Sequence, residues 1–194
     1  MNINFTSDYH FGHENVLIHN PETRIFDNIF DMEDKIIANH NMVVSDKDHT
    51  YNLGDVGFRC SAEYIVERLK RLNGKQHIIL GNHDKPLRQA YNKGLLNGLI
   101  KSGKVEIIGG VDKSIATIKT IKHMGQTIVL SHYAIRSWPG AFRDAWHLYG
   151  HSHGNLSGYY KSFDVGVDNQ GLKPISFDQV KLLMDIRKKD FQES

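Results

Sequence analysis

Apolar and polar positions along the chain fall into two regimes. In the first, short apolar runs end in polar loops and alternate with helical stripes. The run Ile3 to Thr6 in "NINFTSDYHFGH" predicts a strand that stops at polar residues and Gly12. A polar loop with Pro21 follows, and Met32, Ile36, Ile37 and Val43 then mark a helical stripe opened by acidic residues. "HTYNLGDVG" reads as a β-rich run ending in glycine and aspartate. "SAEYIVERLKRLNG" is the clearest helix, with Ser61 as N-cap, Tyr64, Ile65, Leu69 and Leu72 at helical spacing, and Gly74 as the stop. "QHIILGNHDK" is a further short strand ending in a polar turn.

From residue 104 the pattern changes to strands expected to be joined by short loops: "VEIIGG", "SIATIKTIK", "HMGQTIVLSHY" and "WHLYGHSHG". His123-Met124-Gly125 has the composition of a hairpin turn, and "FDVGVDNQG" adds a strand and loop. "SFDQVKLLMDIRKK" predicts a closing helix capped by Ser176, with Val180, Leu183 and Met184 inward and "DIRKKDFQES" as its charged end. Repeats, low-complexity tracts and linkers are absent from the sequence. The order, βα units first and a mostly β half after them, predicts a layered α/β domain with mixed sheets.

Composition narrows this picture. A chain of 194 residues, 40% apolar and 24% charged, suits one domain spanning 1–194. With no apolar run of membrane-spanning length and no signal-like N-terminus, the expectation is a cytoplasmic protein without a membrane partner. Cys60, the single cysteine, excludes an internal disulfide, fits a reducing compartment and reads as a small packed side chain.

The net charge of +2 conceals an uneven distribution. Residues 1–60 hold ten acids and four bases, residues 61–150 six and fourteen, and residues 151–194 six of each. Lys75, Lys85, Arg88, Lys93, Lys101, Lys104, Lys113, Lys119 and Lys122 tilt the middle third toward a phosphorylated or nucleic-acid partner. They are scattered without interleaved aromatics, so a solvated basic surface is the better default.

The chemistry lies elsewhere. Five segments each pass from an apolar run into metal-capable side chains: Asp8-x-His10, Gly54-Asp55, Gly81-Asn82-His83-Asp84, Ser131-His132 and Gly150-His151-Ser152-His153. On extended backbone, His151 and His153 point to the same side. Taken singly, each segment reads as a turn or a core histidine, and seven of the twelve histidines lie outside the set. Their ordered conjunction at strand ends, where α/β proteins gather functional groups, favours one shared site.

With these motifs the sequence resembles the calcineurin-like metallophosphoesterases, from the "SDYHFGH" opening through "GNHD" and "GHSH" to "DVGVDNQGLKPIS". It looks closest to small single-domain bacterial and phage members. The resemblance implies a sandwich of two mixed β-sheets flanked by α-helices, with the metal site at the strand ends. It further implies two divalent transition-metal ions, Mn²⁺ foremost, with Fe, Zn²⁺, Co²⁺ or Ni²⁺ as alternatives that N/O ligands also suit. Asp8, His10, Asp55 and His153 would hold one ion; Asp55, Asn82, His132 and His151 would hold the other, with Asp55 bridging. Phe58 stands where many members carry a second aspartate three positions after the bridging one, which bears on metal tuning rather than on the site itself.

The activity implied is hydrolysis of phosphate esters by a metal-bridging hydroxide, with His83 as general acid and Asp84 orienting its imidazole. A phosphodiesterase acting on a small, nucleotide-like substrate leads. A phosphomonoesterase or nuclease of the same mechanism, or a non-catalytic metal-binding scaffold, are the alternatives; nucleic acid is not the favoured partner. Arg136, Trp138, His13 and Arg24 are the candidates for substrate contact, Arg136 first because arginine suits bidentate phosphate binding. His147 reads as structural.

Overall fold

The computed structural model describes residues 1–112 and 116–187. Lys113, the Ser114-Ile115 start of the "SIATIKTIK" run and residues 188–194 of the charged tail lie outside them. In chain order the strands are β1 (Ile3–Thr6), β2 (His49–Asn52), β3 (Lys75–Ile79), β4 (Val105–Gly109), β5 (Ile118–His123), β6 (Gln126–Ser131), β7 (Trp146–Tyr149), β8 (Ser162–Asp164) and β9 (Ile175–Ser176). The helices are α1 (Val16–His19), α2 (Ile29–Val43), α3 (Ala62–Arg71), α4 (Lys85–Asn92), α5 (Asn97–Lys101) and α6 (Phe177–Ile186).

The strands form two mixed sheets, one of five strands in the order β4-β3-β2-β1-β9 and one of four in the order β5-β6-β7-β8. In the first, β1 to β4 run parallel and β9 is antiparallel to β1. In the second, β5 and β6 are antiparallel, whereas β7 runs parallel to both β6 and β8. Phe5, Leu53 and Ile79 from the first sheet share a core with Ile128, Leu130 and Leu148 from the second, and α6 adds Val180 and Met184. The opposite face of the first sheet is covered by α2, α3 and α4 through Ile36, Ile65, Leu69 and Leu87, packed with Ile78 and Val105. Successive strand side chains point to opposite faces, so Ile78 and Ile79 serve different cores. The molecule is thus an α/β fold with two mixed sheets and flanking helices.

Local chemistry explains the boundaries. The Ser61 side chain accepts the Tyr64 amide at the start of α3, and Ser176 and Gln179 form a reciprocal capping box on α6. Met124 and Gly125, at φ 48° and 83°, form the two-residue turn between β5 and β6, where His123 pairs with Gln126. Helix α2 is capped by Asn28, and of its expected inward stripe Met32, Ile36 and Ile37 are buried while Val43 is exposed.

Two expectations need correction. The stretch after "GNHDK" is not merely a polar turn: it continues into α4, with Pro in its first turn, and α5. The loops after β6 are not short, because parallel neighbours require a crossover. Residues 132–145 connect β6 to β7, and residues 150–161 connect β7 to β8. His147 pins the first of these: its Nε2 accepts the Ile135 amide at 3.0 Å and its Nδ1 donates to the Val129 carbonyl at 3.1 Å. Cys60 is half-buried, and burial first, then Glu33, pushes its thiol up to about 11, so it packs as a neutral side chain.

Candidate metal centre

Parallel β1, β2 and β3 deliver their following residues to one edge of the first sheet, which places Asp8, His10, Asp55, Asn82 and His83 together. The loops after β6 and β7 bring His132, His151 and His153 to the same edge. Backbone bonds tie the turns to one another: the Asp8 amide donates to Gly54 O and the His10 amide to Asp55 O, both at 2.9 Å. Asp8, His10, Asp55, His151 and His153 all have φ between 47° and 68°, the left-handed region disfavoured for residues with a Cβ. Such strain, roughly 1 kcal/mol or more per residue, collects where function requires a side chain to be aimed against its backbone's preference. Gly54, at φ 110°, also lets two turns touch, since a Cβ there would meet Gly81 N at 2.6 Å; a Cβ on Gly81 would collide with Asp55 Oδ1.

Two groups of side chains could each hold a cation: Asp8, His10 and His153, and Asp55, His132 and His151, with the donor atoms of each group within 4.8 Å of one another. Asp55 Oδ2 lies between the groups, 3.9 Å from His10 Nε2 and 3.4 Å from His132 Nε2. Asn82 Oδ1 is 2.9 Å from the same His132 nitrogen. The remaining polar atoms hold these groups in place. His132 Nδ1 donates to Leu53 O at 2.9 Å, His10 Nδ1 meets His13 Nδ1 at 3.2 Å, and His153 Nδ1 donates to Asp168 Oδ2 at 2.7 Å. Each ring therefore presents Nε2 to the cluster. Asp8 Oδ2 accepts the His151 amide at 2.9 Å, while Asp8 Oδ1 and His10 Nε2 are buried with no hydrogen-bond partner among the described residues. Buried polar atoms are rarely left so, and two unpartnered atoms on residues of one donor group are what a cation would satisfy.

The electrostatics agree with this. Burial raises the Asp8 carboxyl to about 7, partly opposed by His153 and His132. Burial would likewise raise Asp55, but the hydrogen bond and charge of His132, with His10, hold it below the usual carboxylate range. Burial lowers the His132 imidazole, yet Asp55 and Asp8 outweigh it and carry the group to about 9. His10, under burial, stays well below the ordinary value and neutral. Carboxylates and imidazoles at this density share protons among themselves, an arrangement that a bound cation replaces.

The positions of the other sequence candidates change their roles. Asp84 does not orient His83: its carboxylate accepts the amides of Asp55 and Gly81 at 2.8 Å and of Gly57 at 3.1 Å, so it fixes two ligand-bearing turns. His83 is instead packed edge-on by Phe58, ring centroids 4.3 Å apart. Arg24 is no surface phosphate ligand. It is buried, paired with Asp168 at 2.8 Å through both Nε and Nη2, and it donates to the Asp8 and Tyr9 carbonyls. Trp138 is buried too, its Nε1 donating to Ala145 O at 2.8 Å, and offers no stacking face. His13 is buried against His10 and Phe58, a place from which it positions His10. Arg136 is exposed, 4.5 Å from the Tyr159 ring, and lines a cavity of about 440 Å³ with Tyr149 and Ser157. Asp168 and Tyr133 are functional neighbours to which the sequence assigns no role. Tyr133 stacks edge-on against His132 and His151, and Asp168 lies in a short 3-10 turn, Val167–Asn169, fifteen residues past His153.

Among the described residues no helix is long and apolar enough to cross a membrane. No protein-family model matches the chain. A crystal structure of the protein of unknown function AQ665 from Aquifex aeolicus superposes with a TM-score of 0.67 at 26% identity, covering 94% of this chain and 98% of that one. The uncharacterized protein MJ1445 of Methanocaldococcus jannaschii is 30% identical over 187 residues, 92% of this chain and 89% of that protein. At that identity and coverage, the chain belongs to the same family as MJ1445.

Proposed function

We propose that this protein is a dinuclear metal-dependent phosphoesterase of the calcineurin-like type, with the sandwich of that family, acting on a diester of a small nucleotide-like molecule. The observation that carries this reading is the position of Asp55 Oδ2 between His10 Nε2 and His132 Nε2, with a donor group on either side. In this reading Asp8, His10, Asp55 and His153 hold one ion, Asn82, His132, His151 and the shared Asp55 the other. The donor set of imidazoles, carboxylates and one amide suits Mn²⁺ and its transition-metal neighbours. When bound, such a pair supplies Lewis acidity at the phosphoryl oxygens and a nucleophile derived from water.

The protein's own groups do the rest. His83, half-buried and flanked by Phe58 and His10, hands a proton to the leaving oxygen. Asp84 keeps the Asp55 and Gly81 turns in register, and Phe58 limits the freedom of the His83 ring. Asp168 and His13 hold His153 and His10 with Nε2 facing inward.

The test is turnover of metal-stripped protein reloaded with Mn²⁺ on bis-p-nitrophenyl phosphate and p-nitrophenyl phosphate, with Asp55→Asn as control. Diester turnover abolished in the variant supports the proposal. Two bound ions with no turnover of either ester would leave a metal-binding scaffold.

A further inference from the structure

Beside the ligand cluster is a cavity of about 290 Å³, near the lower end of the ~300–1,000 Å³ common for small-molecule sites. Asn82, His132, Tyr133, Ala116, Thr117 and Arg88 line it. Arg88 is one of the scattered basic residues of the middle third, and here it is half-buried and fixed to the main chain. Its Nε donates to Gly110 O at 2.9 Å and its Nη2 to Gly81 O at 2.7 Å. Its Nη1 is buried and has no acceptor among the described residues. A guanidinium carries five donors in a rigid fork, and buried ones require acceptors. None of the described residues lining the cavity is acidic.

We propose that this cavity takes a second anionic group of the substrate, read by Arg88, so that the preferred substrates are phosphate esters bearing a further phosphate or a phosphoanhydride. The substrate class rests on the phosphoesterase reading; the anion site does not. Asn82 and His132 belong both to the ligand cluster and to the cavity wall, so a molecule seated at Asp55 extends one group past them to reach Arg88. Two main-chain carbonyls hold the guanidinium in place, which lowers the ordering cost of binding. Thr117 adds a hydroxyl to the lining.

Calorimetric titration of the metal-stripped protein with inorganic pyrophosphate tests this, with orthophosphate alongside. Wild type should bind pyrophosphate more tightly than orthophosphate, and Arg88→Gln should weaken pyrophosphate binding by about tenfold or more. Because Arg88 also ties Gly81 and Gly110, Ala116→Glu provides a second variant that leaves those bonds alone and places a carboxylate in the cavity. It should weaken pyrophosphate to a similar degree, with thermal melts confirming folded protein. Wild type that does not bind pyrophosphate, or folded Ala116→Glu that binds it as wild type does, overturns the proposal. Turnover of bis-p-nitrophenyl phosphate by Mn²⁺-loaded wild type separates the two ideas. Pyrophosphate binding lost in the variants without any diester turnover leaves the anion site standing and the diesterase reading refuted; turnover with pyrophosphate binding unaffected does the reverse.

Discussion

His153 Nδ1 donates to Asp168 Oδ2 at 2.7 Å, and the same carboxylate closes a buried two-pronged pair with Arg24. One acid therefore both orients an imidazole of the candidate site and neutralises a buried guanidinium, which in turn holds the Asp8 and Tyr9 carbonyls. Asp168→Asn should loosen metal binding by about 10- to 100-fold, as outer partners of metal ligands typically do. It should also destabilise the fold by about 3–5 kcal/mol, because Arg24 loses its counter-charge in a buried place. Metal titration and urea unfolding measure the two effects separately, and unchanged metal affinity would show that His153 does not depend on this bond.

Asp84 predicts a different pattern. Three buried amides end on its carboxylate, so Asp84→Ala should cost about 3 kcal/mol or more, since each orphaned donor carries a penalty of about 1–3 kcal/mol. If Asp84 acted chiefly on His83, the loss would fall on turnover and the urea midpoint would stay put.

Metal uptake should release protons and strengthen as pH rises. Burial raises the Asp8 carboxyl to about 7, and Asp55 and Asp8 carry His132, against its own burial, to about 9. Cations compete with those protons, so affinity climbs through the range from about 7 to 9. Calorimetry in two buffers of different ionisation heat counts the protons; a pH-independent affinity would contradict the ligand set.

Away from the site, His40 and His147 are buried and lowered to about 4 by desolvation. In the unfolded chain both titrate near ~6.5. As pH falls, the unfolded state takes up protons first, so this stabilisation is full above about 6.5 and is lost progressively down to 4. The loss is on the order of 3 kcal/mol per group at most, about 6 for the two together. Urea midpoints at pH 7.5 and 4.5 should differ accordingly, and the difference should shrink in His40→Gln.

Within the proposed reaction, His83→Ala should lower kcat by about 10²- to 10⁴-fold with both ions retained. A variant with unchanged turnover would assign the leaving-group proton elsewhere.

The strands, the best-capped helices and the hairpin at Met124-Gly125 were legible in the sequence because each depends on local chemistry: apolar period, a Ser cap, a glycine at positive φ. So were the five metal-capable segments, since each sits where an apolar run stops. Tertiary structure alone decided which long-range partners those residues have. Asp84 follows His83 directly, yet its backbone turn aims the carboxylate at the amides of Asp55, Gly57 and Gly81. Arg24 sits in a polar-looking loop but is buried, because the carboxylate of Asp168, 144 residues away, satisfies its guanidinium; Trp138 is buried too, its indole N–H satisfied within its own loop by the Ala145 carbonyl. Asp168 lies within the "DVGVDNQGLKPIS" segment, yet nothing in that segment names its partners, and only the approach of its turn to His153 and Arg24 gives it a role. Periodicity and caps are short-range interactions written in neighbouring residues. Burial and hydrogen bonding across more than a hundred residues of sequence arise only once the two sheets have packed.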